Sequence, residues 1–169
     1  NSGAYMNAME KVDGEWKVAG MMTNYDAPPA EDAMWNPMPE GDMAAATPRF
    51  PDMNAAYTAA FNAGDAAAMA SMYAEDAKFA LSNGPILEGR AAIEAAMAAR
   101  FMPGATIEIH EVGSEDMGDG WSGGGGWYAI TGPDGAVAQT GFWMNIVEVQ
   151  DDGTPQIAWA ITNARPGGM

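Results

Sequence analysis

The spacing of apolar residues changes along the chain, from alternation near the start to a helical period and back to alternation. Residues 3–25 carry two apolar runs around Asp13-Gly14, a dipeptide typical of tight turns, and this pattern predicts a β-hairpin. Over residues 53–75 large apolar side chains recur at helical spacing, which predicts helices. Within that segment we expect Gly64 to end one helix and Asp65 to cap the next.

A third helix and a run of strands complete the predicted elements. The helix is expected over residues 90–101, between Gly89 and Pro103-Gly104, after a short strand at 78–81. Alternating residues then predict four longer strands, at 106–112, 121–131, 137–149 and 156–163. Helices gathered before a run of antiparallel strands indicate an α+β domain, with the helices on one face of a bent sheet.

Two of these strands carry further information. The four glycines at 123–126 predict a bulge, a bend or the close approach of another backbone. In the strand at 156–163, simple alternation places Ile157, Trp159 and Ile161 on one face and small residues on the other. Neither face is charged, so we expect both to be covered, one by the helices and the other by a partner.

Composition and charge narrow the classes of function. The chain has 169 residues, with 23 acidic against 7 basic side chains and a formal net charge of −16. This charge argues against nucleic acid or an anionic membrane as partner, because both attract cationic proteins. Without cysteine, the chain has no disulfide, thiolate metal site or cysteine nucleophile. No apolar run is long enough to span a membrane, and the acidic surface suits a periplasmic or extracellular protein.

The segments "YTAAFNAGDAAAMASMYAEDAKF" and "NGPILEGRAAIEAAM", followed by strands ending in "ITN", resemble the NTF2-like superfamily. The likeness covers about residues 50–165 and is strongest to the SnoaL-like branch often called DUF4440, whose relatives include the ketosteroid isomerases. The resemblance implies a cone-shaped domain, in which three helices pack on a curved mixed or antiparallel sheet and a pocket opens between them. Many such domains pair through the outer face of the sheet.

The start of the chain resembles its own end. Gly3 matches Gly141, 138 positions later, and Asn24 matches Asn163, 139 positions later. Further pairs between these limits are Met6 with Met144, Asn7 with Asn145, Glu10 with Glu148, Val18 with Ile157 and Thr23 with Thr162. We therefore expect a tandem-repeat protein, divided into 1–26 as the last two strands of a preceding copy, 27–49 as a linker rich in proline, methionine and acidic residues, 50–165 as the domain and 166–169 as a tail.

Two strands alone cannot bury an apolar face, so a partner is expected to cover the hairpin. The candidate interface residues are Tyr5, Trp16, Val18 and Met21 in the hairpin and Trp159 in the last strand. Two partners remain open: a neighbouring repeat of the same protein, or a second subunit reached by strand addition. Both alternatives predict assembly, as a tandem array or a homo-oligomer.

The resemblance also implies a site inside the cone. The isomerase relatives use a carboxylate base, together with a tyrosine and a protonated acid that hold an oxyanion. The alignment places the tyrosine at Tyr57 and the second donor at Asn145, but it places Leu81 at the base position, and leucine cannot accept a proton. We expect no catalytic residue and a ligand pocket instead, with Tyr57 and Asn145 as polar anchors and Phe61, Leu81 and Trp143 as its wall.

Metal binding has weak candidates only. His110 is the single histidine and has Glu108 nearby in the same strand. Met34, Met38 and Met43 in the linker carry thioethers, which suit Cu(I). A surface histidine and an apolar anchor in the linker are the simpler interpretations, and no cofactor is expected.

The sequence thus predicts a non-catalytic NTF2-like domain that acts in self-association or as an accessory subunit of a larger assembly, with a small apolar ligand as an option for its cone. The alternatives are a SnoaL-like isomerase, cyclase or hydrolase with an unaligned active site, and a periplasmic protein that binds Cu(I). These hypotheses differ in one observable property. An enzyme needs a titratable side chain in an open cone, whereas a scaffold tolerates a cone filled by Met and Phe.

Overall fold

The computed structural model of the chain describes residues 3–25 and 49–166. Within these residues the chain forms three helices and eight strands, and the α+β class is confirmed. Their order is the predicted one, with a further short strand at 86–88 for which the sequence pattern gives no range. The strands are β1 Gly3–Val12, β2 Glu15–Tyr25, β3 Tyr73–Ala80, β4 Ile86–Glu88, β5 Thr106–Gly118, β6 Trp121–Thr131, β7 Val137–Val149 and β8 Pro155–Pro166. The helices are α1 Pro51–Ala63, α2 Ala66–Ser71 and α3 Arg90–Arg100.

Six strands form the main sheet, in the order β4-β3-β8-β7-β6-β5. The pair β3 and β8 is parallel, and the other neighbours are antiparallel. The helices pack on one side of this sheet, which we call the inner face, and the opposite side is the outer face. Strands β1 and β2 pair only with each other and form a separate hairpin.

The helix ends follow the local signals in the sequence. Gly64 adopts the left-handed conformation (φ 69°) that closes α1, and the side chain of Asp65 accepts a hydrogen bond from the Ala68 N–H at the start of α2. The second helix is shorter than predicted, because the Met72 carbonyl accepts from the Ile157 N–H and the chain enters β3 at Tyr73. Strand pairing therefore overrides the helical spacing of the last apolar residues.

A hydrophobic core fills the space between the helices and the inner face. Ile93 and Met97, one turn apart on α3, join Met69 of α2 against Phe79 and Ile157 of the sheet. Ile93 and Ile157 are fully buried, and burial of side chains of this size stabilises a fold by about 2 kcal/mol each. The core leaves part of the space between the helices and the sheet unfilled, and the cavity described below lies there.

The glycine run in β6 lets the backbone of the neighbouring strand β5 come close, which is one of the features that the run predicts. A Cβ at position 126 would lie 1.8 Å from the His110 carbonyl oxygen of β5, so only glycine fits there. The pairing of β5 with β6 shifts register between Glu111 and Gly113, directly opposite this run. The glycines thus accommodate an irregularity in the neighbouring strand.

The predicted alternation along β8 is wrong at one point. Ile157 lies in the core under the helices, whereas Ile161 lies in an apolar cluster on the outer face, and Trp159 is exposed there. The cause is a bulge, because Ile157 and Trp159 pair with consecutive residues of β7 and leave one extra residue between them. A bulge of this kind moves every side chain beyond it to the other face.

The hairpin packs on the outer face through methionines. Met6 joins Met144 and Ile161 in a second apolar cluster, with Met22 packed against it. Ile161 is fully buried and Met6 is nearly so, although neither touches the helices. The hairpin therefore covers part of the outer face of its own domain.

A buried asparagine fastens this contact. The side chain of Asn24 donates from Nδ2 to the carbonyl oxygens of Ala80 (3.1 Å) and Thr162 (3.2 Å) in the main sheet. Its Oδ1 accepts from the Ala4 N–H within the hairpin (3.2 Å). One side chain thus links both hairpin strands to β3 and β8.

The five residues predicted to form an interface are not covered by the domain itself. The four hairpin residues Tyr5, Trp16, Val18 and Met21 are exposed, and so is Trp159 on the outer face, where Lys78 lies 5.1 Å from its ring centroid. The predicted linker at 27–49 lies outside the described residues except for Arg49, which pairs with Asp116 at 2.8 Å. Among the helices of the described part, none is long and apolar enough to cross a membrane.

Candidate functional site: a cavity between helices and sheet

A cavity of about 490 Å³ opens between the three helices and the inner face of the sheet. Its wall is mainly apolar and includes the five predicted pocket residues Tyr57, Phe61, Leu81, Trp143 and Asn145. The cone is therefore open, not filled by Met and Phe. Leu81 occupies the wall as the alignment places it, and the described wall residues include no Asp, Glu, His or Lys.

Two residues of β7 that line this cavity, Trp143 and Asn145, carry polar groups without a partner among the described residues. Trp143 is 9 % exposed, and its indole Nε1 is buried with no hydrogen-bond partner among the described residues. Asn145, two positions further on the same strand face, is half-buried, and its side-chain amide makes no hydrogen bond within residues 3–25 and 49–166. A buried N–H without a partner costs about 1–3 kcal/mol, so the Trp143 indole lacks an acceptor, whereas the Asn145 amide is unpaired but not fully buried.

Tyrosine hydroxyls form a second set of polar groups in the cavity wall. Tyr57 of α1 and Tyr73 of β3 share a hydrogen bond. Burial raises the pKa of Tyr57 to about 12, although the hydrogen bond with Tyr73 lowers it in part. Burial and the proximity of Tyr57 raise the pKa of Tyr73 well above its usual 10.0. Both hydroxyls stay protonated at neutral pH, so they act as hydrogen-bonding groups and not as bases.

A third tyrosine is fixed by the sheet. The Tyr128 hydroxyl donates to the Asn163 carbonyl oxygen (3.2 Å) and accepts from Gln139 Nε2 (2.8 Å). Burial raises its pKa to about 12, and the hydrogen bond from Gln139 opposes this rise. The ring passes over Gly141, where a Cβ would lie 2.6 Å from the hydroxyl oxygen and 2.0 Å from the Asn163 carbonyl oxygen. Gly141 is thus required for the shape of this wall.

One cation lies at the cavity. Arg100, at the end of α3, contributes to the wall and is exposed, and it makes no ion pair with any described residue. Its positive charge lowers the pKa of Tyr128 slightly against the larger effect of burial. Arg100 can therefore meet a polar or anionic end of a bound molecule near the entrance.

Sequence reasoning missed Tyr73, Arg100, Tyr128 and Gln139 as parts of this wall. In the sequence, Tyr73 and Arg100 look like ordinary helix residues. Alternation along a strand shows that Tyr128 and Gln139 can share a face of the sheet only when the pairing register of β6 and β7 is known. The neighbours of the predicted base position do not replace it. The Ser82 hydroxyl donates to the Thr162 carbonyl oxygen (2.7 Å), and Lys78 lies 3.8 Å from Glu88 and stacks over a ring on the outer face.

The metal candidates lie elsewhere. His110 stacks on Trp127, with ring centroids 3.7 Å apart, and its Nε2 lies 3.2 Å from Glu108 Oε1 without hydrogen-bond alignment. Within residues 3–25 and 49–166, no three His, Asp or Glu side chains are grouped as a metal site would require. The linker methionines Met34, Met38 and Met43 lie outside the described residues.

The fold and the cavity define a helix-and-sheet cone, and comparisons with known proteins agree. The SnoaL-like domain family matches residues 54–157, and the chain belongs to this family. This result confirms the NTF2-like resemblance; the narrower DUF4440 branch and the partial repeat stay predictions. No curated protein matches the chain.

Solved structures show the same fold at low sequence identity. A cystatin-like domain of unknown function from Nostoc punctiforme is 18% identical, with a TM-score of 0.62 over 68% of this chain and 74% of that chain. An NTF-2-like protein of unknown function from Shewanella oneidensis is 17% identical, with a TM-score of 0.59 over 66% and 93%. A ketosteroid isomerase-like protein from Erwinia carotovora is 17% identical, with a TM-score of 0.57 over 74% and 97%. At these identities the likeness concerns the fold alone.

Proposed function

We propose that this SnoaL-like domain binds a small, mostly apolar molecule in its cone and does not act on it chemically. The cavity has the size of ordinary small-molecule sites, which run from about 300 to 1,000 Å³. Its wall combines many apolar side chains with a few polar groups, the composition that fixes the orientation of a ligand. The net charge of −16 suits the proposed periplasmic or extracellular setting.

The observation that carries this proposal is the pair of unpartnered groups on β7. Trp143 Nε1 can only donate, and the Asn145 amide can donate and accept. A ligand oxygen beside the Asn145 amide gains a hydrogen bond, and a shift of the neighbouring indole that lets Trp143 Nε1 reach the same oxygen removes the cost of a buried, unpaired N–H. The ligand class is therefore an apolar molecule with a carbonyl or similar acceptor, and Arg100 favours a polar group at its outer end.

The enzymatic alternative has less support. An isomerase of the related type needs a base within reach of the substrate proton, and the corresponding wall residue is Leu81. The cavity tyrosines are a poor substitute, because burial raises the pKa of Tyr57 and of Tyr128 to about 12. The likeness to an isomerase-like protein concerns the fold alone.

The proposed assembly role is a second candidate function, and one observation favours it: the outward face of the hairpin is apolar and exposed.

Copper binding stays a prediction from the sequence, in which the thioethers of Met34, Met38 and Met43 in the linker bind Cu(I). Titration of the full chain with Cu(I) tests it, and a triple substitution of these methionines by serine should abolish any binding.

Ligand binding can be tested with Prodan, a neutral fluorescent naphthyl ketone whose emission moves to shorter wavelength in apolar surroundings. We expect saturable binding of one Prodan per chain with a blue-shifted emission. Trp143→Phe and Asn145→Leu each remove one hydrogen-bonding group and keep the apolar bulk. Each should weaken binding about 3- to 10-fold, since one neutral hydrogen bond contributes roughly 0.5–1.5 kcal/mol.

Matched controls separate the cavity from the rest of the surface. Trp159→Phe changes an exposed tryptophan on the outer face, and Asn7→Leu changes an exposed asparagine of the hairpin. Both variants should bind Prodan as the unmodified chain does. Weak, non-saturating binding, or an equal loss in cavity and control variants, would show that the cone is not the binding site.

A further inference from the structure

The hairpin β1–β2 repeats the hairpin β7–β8 in its hydrogen bonds. Ala4 pairs with Asn24 in the first hairpin, and Phe142 pairs with Asn163 in the second. In each pair the asparagine Oδ1 accepts from the backbone N–H of its partner, at 3.2 Å for Ala4 and 3.0 Å for Phe142. A bond from a strand side chain to the opposite backbone is not a general property of hairpins, so its recurrence points to a duplicated unit.

The two hairpins also share an irregularity. The register shifts between Ala8 and Met9 in β1–β2, and between Ile146 and Val147 in β7–β8. These positions correspond, because each residue of the second pair follows its counterpart by 138 positions. A β-bulge is a specific feature of a strand pair and redirects its side chains, so its identical place gives the two hairpins the same assignment of faces.

Corresponding faces of the two hairpins differ in how far other parts of the described structure cover them. Tyr5 is 73% exposed, whereas its counterpart Trp143 is 9% exposed in the cavity wall. Val18 is 55% exposed, whereas its counterpart Ile157 is 2% exposed in the core under the helices. The outward face of the hairpin is therefore the face that, in β7–β8, packs against helices and lines a cone.

The remaining faces of the two hairpins, those opposite to the faces just compared, pack on each other, and equivalent residues of the two hairpins meet there. Met6 belongs to the cluster that contains its own counterpart Met144, and Met22 packs against the same cluster, which also contains its counterpart Ile161. Contact between equivalent residues is the mark of a twofold arrangement. The two hairpins thus lie back to back, each offering its outer face to the other.

We propose that β1–β2 is the terminal hairpin of a second SnoaL-like module, and that the helices of that module cover Tyr5, Trp16, Val18 and Met21. The occupant of this apolar surface is a helical layer like α1–α3, with apolar side chains at helical spacing. The two modules then sit back to back through their last hairpins, and each keeps its own cone. This inference concerns a surface remote from the cavity and does not depend on the cavity binding a ligand.

Photo-cross-linking in the protein expressed from its own gene tests the partner directly. The photoreactive residue p-benzoyl-phenylalanine replaces Tyr5, which is exposed and makes no contact that the hairpin needs. The matched control carries the same residue at Lys17, which is exposed and belongs to the other face of β2. Mass spectrometry of the cross-linked peptides identifies the neighbour.

We expect the Tyr5 position to cross-link to a helical peptide of a SnoaL-like module and the Lys17 position not to do so. Adding Met21→Lys on the same face should abolish the Tyr5 cross-link, because a buried lysine disrupts the apolar contact. Cross-links from Tyr5 to an unrelated protein, cross-links to the strand edge of another copy, or no Tyr5-dependent product would each overturn the proposal.

Discussion

The replacement Asn24→Ala should weaken the docking of the hairpin on the domain without unfolding the domain. Asn24 is buried and joins the hairpin to the main sheet through two hydrogen bonds, to the carbonyl oxygens of Ala80 and Thr162. Thr162 keeps a second donor, the Ser82 hydroxyl at 2.7 Å. The substitution therefore weakens the hairpin contact more than it weakens the sheet.

The size of the effect follows from these contacts. Each of the two hydrogen bonds between hairpin and sheet contributes about 1 kcal/mol, so opening of the hairpin becomes easier by about 2 kcal/mol. An equilibrium shift of that size is about 30-fold. The apolar contacts of Met6 remain, and they should keep the hairpin docked most of the time.

Native-state hydrogen exchange measures this local opening. The amides of β1 and β2 should exchange about 30-fold faster in Asn24→Ala, while amides of β7 and β8 change little. Asn7→Ala, an exposed asparagine on the same hairpin, is the matched control and should exchange as the unmodified chain does. Unchanged exchange in Asn24→Ala, or an equal increase in Asn7→Ala, would refute the assigned role of Asn24.

Two further predictions concern the cavity wall. Gly141→Ala should lower the free energy of unfolding by about 3 kcal/mol, since its Cβ meets the Asn163 carbonyl and the Tyr128 hydroxyl; Gly113→Ala, with open space around its Cβ, is the control in the same denaturant titration. The raised pKa of Tyr128, about 12 against 10.0, leaves stability nearly intact below pH 10 and removes about 2 kcal/mol by pH 12, because the unfolded chain loses this proton more easily than the folded one. Tyr128→Phe should make the decline shallower in unfolding experiments from pH 9 to 12, while Tyr57 and Tyr73 account for the decline that remains; an unchanged slope would contradict the assigned burial.

Local signals in the sequence predict much of the fold. Gly64, Asp65 and Gly89 mark helix ends because cap conformations depend on neighbouring residues only. The Asp13-Gly14 turn is equally local, and both residues have the positive φ angles that such turns need. The placement of Tyr57 and Asn145 in the cavity wall came from the family resemblance, which supplies the tertiary arrangement that periodicity lacks.

The parts that could not be predicted depend on pairing between distant strands. The bulge in β8 carries no glycine or proline, so nothing in its sequence announces that Ile157 and Trp159 lie on opposite faces. Tyr73 fits the helical spacing of α2, but a hydrogen bond from Ile157 draws that stretch into the sheet. The unpartnered state of Trp143 Nε1 is likewise visible only once the surrounding side chains are in place.

The indole N–H signals of the chain's 6 tryptophans in a ¹⁵N-labelled sample test the proposed site most directly. Saturation with Prodan should move the Trp143 indole proton downfield and slow its exchange with water, because a ligand oxygen accepts its hydrogen bond. The side-chain amide of Asn145 should shift with it, whereas the exposed Trp159 signal should stay in place. Prodan binding that leaves the Trp143 and Asn145 signals unchanged would contradict the central claim that these two groups receive the ligand.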